Sequence, residues 1–171
     1  ASVYKLATQA KVVADKNGNL HEKARALSNI ASAHFYIGNH QKALELYLES
    51  LAIAEKLNDF DGIERALNNT SNVYSEIGSL EEALEYRLLL PANKGIKRPP
   101  RDTVTAFVAL ANIYLEMEQN DLAIEKINDA DIILEKHPDP FLSSFNLSSK
   151  KAITKHSSLI SSKFVLIASI F

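Results

Sequence analysis

Ala43, Ala83 and Ala123 stand 40 residues apart, and further columns keep the same interval. Gly38 and Gly78 are followed at that spacing by Glu118; Leu27, Leu67 and Phe107 correspond, as do Ala31, Ser71 and Ala111, and His34, Tyr74 and Tyr114. A chain that returns to small, aromatic and turn-forming residues in register is built from stacked supersecondary units. That constraint outranks any local reading of propensity.

Each unit reads as helix, tight turn, helix. Leu27, Ile30, Ala31 and His34 fall on the i, i+3, i+4, i+7 stripe of one helix. Gly38 ends it, because glycine enters the left-handed region at low cost. A second stripe follows at Ala43, Leu46, Tyr47, Leu51 and Ala54. Ser79 and Glu82 have capping-box spacing at the start of the equivalent second helix. Two antiparallel helices approach closely only where both carry small side chains, which places Ala31 and Ala43 at the crossing.

The order small residue, aromatic, glycine, alanine, aromatic is carried by Ala31, His34, Gly38, Ala43 and Tyr47. Ser71, Tyr74, Gly78 and Ala83 follow it, as do Ala111, Tyr114, Glu118 and Ala123. This pattern resembles the tetratricopeptide repeat (TPR), whose commonest unit has about 34 residues. Units of 40 are similar to the long-helix variety of kinesin light chains, cell-polarity adaptors and bacterial signalling sensors. The resemblance covers residues 1–137. It implies an all-α fold, a right-handed α-solenoid of stacked antiparallel helix pairs. The array is expected over 1–139, as a partial unit at 1–19 and units at about 20–59, 60–99 and 100–139. The partial unit rests on "KVVADKNGN", which aligns with "LAIAEKLND". The departures are His34 for the usual Tyr, Glu118 for Gly, and Arg87 where an aromatic is expected; the last two read as looser packing.

Two regions break the pattern. In "PANKGIKRPPRD", Pro91 should end its helix near Leu90, since an interior proline costs roughly 3 kcal/mol. Pro99 and Pro100 should then delay the next helix until Asp102, an apt N-cap. Lys94, Lys97, Arg98 and Arg101 make this a basic loop, read as a solvated connection, with a phosphate or acidic-peptide contact as the alternative. Residues 140–171 hold no acid but keep Lys150, Lys151, Lys155 and Lys163. Lys151 and Lys163 fall on the crossing columns, so this is a helical cap or degenerate repeat and no ordinary unit. Its stripe of Ile153, Ile160, Phe164, Ile167 and Phe171 suits capping the solenoid or packing on a second copy. "FVLIASIF" is too short to cross a bilayer, so a membrane enters only if a span follows Phe171.

Catalysis has no visible basis. The histidines, at 21, 34, 40, 137 and 156, form no HExxH arrangement and share no metal-ligand spacing with a carboxylate. No GxSxG, P-loop or GxGxxG occurs. The chain has no Cys, hence no thiolate chemistry, and its compartment stays open. It is read as no enzyme, with neither cofactor nor metal. A formal net charge of −2 favours no nucleic-acid partner. The opening at Ala1, within helix-like sequence, reads as a piece of a longer protein or a processed form.

Binding remains, and stacked helix pairs offer a concave groove lined by the first helix of each unit. Arg25, Asn29, Ser32 and Tyr36 fall at helical spacing on one such helix, and Arg65, Asn69, Asn72 and Glu76 on the next, with Asn68 beside them. Asn112 occupies the column of Asn72. Asparagine is a poor helix former, yet its amide matches a peptide backbone in offering donor and acceptor together. Arg at the rim holds carboxylates. TPR proteins that clamp peptide tails use Asn and basic residues on these helices, although the lysines of such clamps are missing here. The resemblance places Arg25, Arg65, Asn69, Asn72 and Asn112 at similar columns; with Asn29 and Asn68, which helical spacing sets beside them, they are the expected peptide-binding residues of a scaffold or sensory module in a larger signalling protein. The alternative is a self-association module, a homodimer held by the apolar C-terminal tail.

Overall fold

The computed structural model describes residues 2–90 and 99–144, together with 146, 148, 150, 151 and 155. Every element among them is an α-helix: α1 Ser2–Asn17, α2 Leu20–Tyr36, α3 His40–Leu57, α4 Phe60–Glu76, α5 Leu80–Leu88, α6 Pro100–Glu116 and α7 Asn120–Lys136. The chain forms two compact units, residues 1–96 and 97–171. In the first, each of α1 to α5 packs on its neighbour in sequence, and α2 also touches α4. In the second, α6 packs on α7.

The turns follow one rule at half the interval visible in the sequence. Gly18, Gly38, Asn58, Gly78 and Glu118 each take a left-handed backbone, with φ of 67°, 78°, 52°, 79° and 61°. In each case the next N–H returns to a carbonyl inside the preceding helix; Asn39 N–H donates to the His34 carbonyl at 2.9 Å, and Gln119 N–H to the Tyr114 carbonyl at 2.8 Å. These are Schellman closures, which satisfy carbonyls that the helix end leaves orphaned. Asn19, Asn39 and Asp59 then cap the next helix, their side-chain oxygens accepting from the N–H groups of Glu22, Lys42 and Gly62 at 3.2, 3.3 and 3.0 Å.

Three local expectations are corrected. Ser79 holds the N-cap position of α5 but makes no side-chain cap bond, so the capping box with Glu82 does not form. Glu81 and Glu82 instead lie in the first turn, where the helix dipole favours acids. The helix after the proline pair begins at Pro100 with Pro99 as N-cap, ahead of Asp102. Proline lacks only an N–H that the first turn leaves unpaired anyway, and its φ already suits the helix. Glu118 brings no loosening: Ala111 and Ala123 beside that turn are fully buried. The misfit is absorbed as backbone strain, of order 1–2 kcal/mol for a residue with a Cβ in the left-handed region.

The small-residue columns close the crossings. Ala31, Ala43, Ser71, Ala83, Ala111 and Ala123 all have 0% exposure. Ser71 buries its hydroxyl by donating to the Ala83 carbonyl at 2.7 Å, so α5 lies against α4 at the crossing itself. Leu27, Ile30, Leu46, Tyr47 and Val73 gather around Ala31 and Ala43; Leu51, Ala66, Leu67 and Leu90 form a second cluster. α5 ends at Leu88, and Leu90 is buried just beyond it. In the second unit, Asn146 is 2% exposed and its amide donates to Asp131 at 2.6 Å, which ties the residues after α7 to that helix. Pro91, Lys94, Lys97, Arg98, Lys163 and the stripe Ile153, Ile160, Phe164, Ile167 and Phe171 lie outside the described residues.

Candidate binding face on α4

α4 begins behind the Asp59 cap and buries Ala66, Leu67, Thr70, Ser71 and Val73. That burial leaves Arg65 and Asn72 exposed and Asn68 and Asn69 half-buried. Asn68 and Asn72 are one turn apart, and a single side chain from α5 reaches both. Arg87 donates through Nη2 to Oδ1 of Asn72 at 2.6 Å and through Nη1 to Oδ1 of Asn68.

Arg87 is only 6% exposed. Among the described residues no carboxylate pairs with it, and its buried Nε has no hydrogen-bond partner. Burial pulls its pKa down to about 10, which still leaves it charged at neutral pH. A guanidinium carries donors only. Both asparagines must therefore turn their carbonyl oxygens toward Arg87.

The sequence registers Arg87 only as a misfit in an aromatic column. The signal that would have found its role lies in the preceding hairpin. Ser32 and Tyr47 occupy the same two columns, 40 residues earlier, and their hydroxyls meet at 2.8 Å. Ser32 donates to the Ser28 carbonyl at 3.0 Å, so Tyr47 is the donor of that pair. Burial raises the Tyr47 pKa and keeps the phenol protonated. Positions 32 and 47 are thus a cross-helix pair, and 72 and 87 are its next copy.

The other proposed residues separate. Arg25 pairs with Glu22 at 3.1 Å in an exposed contact, and Asn29 is exposed beside it on α2. Arg65 has no ion-pair partner among the described residues. Asn112 is exposed on α6, in the second unit. Its column partner there is Ile127, 2% exposed, which offers it no hydrogen bond. His34 is half-buried with its ring edge-on to Tyr4, centroids 5.7 Å apart, as a packed aromatic is.

Residues 22–86 match the family model of the tetratricopeptide repeat. No curated protein matches the chain. Solved structures do. The nearly identical TPR-like repeats of a proposed kinesin light chain from Podosopora anserina share 16% identity at a TM-score of 0.65, with 94% of this chain and 86% of that one covered. A Rap protein complexed with competence and sporulation factor shares 20% at 0.76, covering 96% and 49%. Aspartyl phosphate phosphatase F from Bacillus subtilis shares 18% at 0.73, covering 95% and 45%. This chain spans about half the length of the last two. At these identities the likeness is one of fold: a TPR-like array of helix pairs.

Proposed function

We propose that this TPR-like array binds an extended peptide or protein segment on the exposed face that the first helices α2 and α4 present in the first unit. The observation that carries the proposal is the set of side chains on α4. Asn68, Asn69 and Asn72 are clustered in a helix that disfavours asparagine by several tenths of a kcal/mol each, and none of the three is fully buried. Exposed Arg65 lies one turn away. Amides and a guanidinium on one helix suit the carbonyls, N–H groups and carboxylates of a peptide. Arg25 and Asn29 on α2 are proposed to extend the same recognition, and Asn112 on α6 to offer an amide of the same kind within the second unit.

The scaffold reading goes further, to a sensory part of a larger signalling protein. Its support is the likeness in fold to the Rap protein that was solved with competence and sporulation factor. The test is a displayed library of unstructured nine-residue peptides, panned against the chain. The strongest binder is then measured against Asn72→Ala and Arg65→Ala, with melting temperature as control. Asn72→Ala should cost about 5- to 150-fold in affinity, the range of a buried polar group left unpaired. Arg65→Ala should weaken acidic peptides and spare neutral ones. Peptides that bind both variants as they bind the parent would place the ligand elsewhere, and self-association measured by light scattering becomes the reading to pursue.

A further inference from the structure

Position 87 belongs to a column whose other occupants, Tyr47 and Ile127, are buried at 3% and 2% exposure. Both fill that place without a charge. Arg87 fills it with a guanidinium that has no carboxylate among the described residues and an unpaired Nε. A buried charge without a counter-ion is unfavourable for the fold, so packing alone gives no reason for arginine here. Its contacts give one. Its donors hold the Oδ1 atoms of Asn68 and Asn72. A carboxamide is planar, with O and NH2 on opposite sides, so an oxygen turned inward turns the NH2 away. Asn72 is exposed, and its two N–H donors are then offered to solvent in one orientation.

We infer that Arg87 is a positioning residue of the α4 face: it fixes the amides of Asn68 and Asn72 as outward donors, so that the face selects carbonyl oxygens of an extended peptide main chain. A free asparagine presents either edge and loses that choice on binding. One held by a donor-only group is already set. The charge behind the amides also polarises them, which strengthens the outward N–H as a donor. The inference rests on the peptide-binding reading and adds the ligand's acceptor chemistry.

The test uses the nine-residue peptide selected on the parent chain and three variants. Arg87→Met removes the donors and keeps an apolar stem. It should weaken the peptide about tenfold while melting at or above the parent temperature. Arg87→Gln, which carries an acceptor as well as donors, no longer dictates the amide edge and should lose affinity similarly. Arg87→Lys, donor-only, should stay within about threefold of the parent. The side-chain NH2 resonances of Asn72 should shift in the Met and Gln variants and stay near the parent's in the Lys variant. If Arg87→Met does not fold, the Lys and Gln pair decides. Affinity unchanged in Met and Gln, or lost equally in Lys, overturns the inference. If Asn72→Ala weakens the peptide while Met and Gln do not, only the positioning role fails. If no peptide binds, or Asn72→Ala binds as the parent does, the binding reading fails and takes this inference with it.

Discussion

The hairpins α2–α3 and α4–α5 have the same register and the same small-residue crossing, yet they resolve their polar contacts in opposite ways. In the first, four hydroxyl groups close on themselves. Ser28 meets Ser50 at 2.8 Å, Ser50 donates to the Ala24 carbonyl at 2.9 Å, and Tyr47 donates to Ser32. Three of the donors are used between the two helices, and the fourth, Ser32, donates within α2 to the Ser28 carbonyl. In the second, Asn68, Asn72 and Arg87 take the columns of Ser28, Ser32 and Tyr47. Arg87 supplies donors but no acceptor, so the asparagine NH2 groups find no acceptor on it. The same columns thus hold a closed hydroxyl pair in one copy and, as we infer, outward-facing amide donors in the next.

The comparison breaks first at the crossing the two hairpins share. Ala43→Leu and Ala83→Leu should each destabilise by about 1–3 kcal/mol, because the added methylenes meet a closed helix contact. Chemical denaturation should show similar losses in both. A loss at Ala43 alone would mean that α4–α5 is packed differently.

The polar columns should part company next. Tyr47→Phe strips the donor from a buried hydroxyl pair and should cost about 0.5–1.5 kcal/mol in the same assay. Arg87→Met should leave stability unchanged or raise it, since an apolar side chain replaces a buried charge that lacks a carboxylate. The reverse order would make Arg87 a stabilising group and α4–α5 as self-contained as its neighbour.

A transplant sharpens the point. Asn72→Ser with Arg87→Tyr installs the α2–α3 pair in α4–α5. It should fold with stability within about 1 kcal/mol of the parent, because the columns already hold that pair 40 residues earlier. Its peptide affinity should fall with that of Arg87→Met. Thermal melts and the peptide assay together read both outcomes.

The smallest expected effect lies at the turns. Glu118→Gly should stabilise by about 1 kcal/mol, by relieving a left-handed residue that carries a Cβ at φ 61°. Gly38→Ala should destabilise by a comparable amount for the converse reason. Equal and opposite shifts in midpoint would confirm that both turns use one backbone shape.

The helix-turn-helix repeat, its crossing residues and its glycine turns were legible in the sequence, because each depends on residue type at fixed spacing along one chain. Alanine at Ala43, Ala83 and Ala123 admits few readings once it recurs every 40 residues. The turns at Gly18 and Asn58 escaped notice because they fall midway between the turns of the repeat columns, 20 residues from Gly38, and asparagine hides a left-handed residue better than glycine does. Asn68, Asn69 and Asn72 could be nominated from their helical spacing. The orientation of Asn68 and Asn72 could not, since both accept from Arg87, a side chain 15 residues beyond Asn72. Sequence columns mark Arg87 as a departure from an aromatic pattern. Only the packing of α5 on α4 decides that its donors reach two amide oxygens, because a hydrogen bond depends on distances across a helix interface that no spacing along one helix specifies.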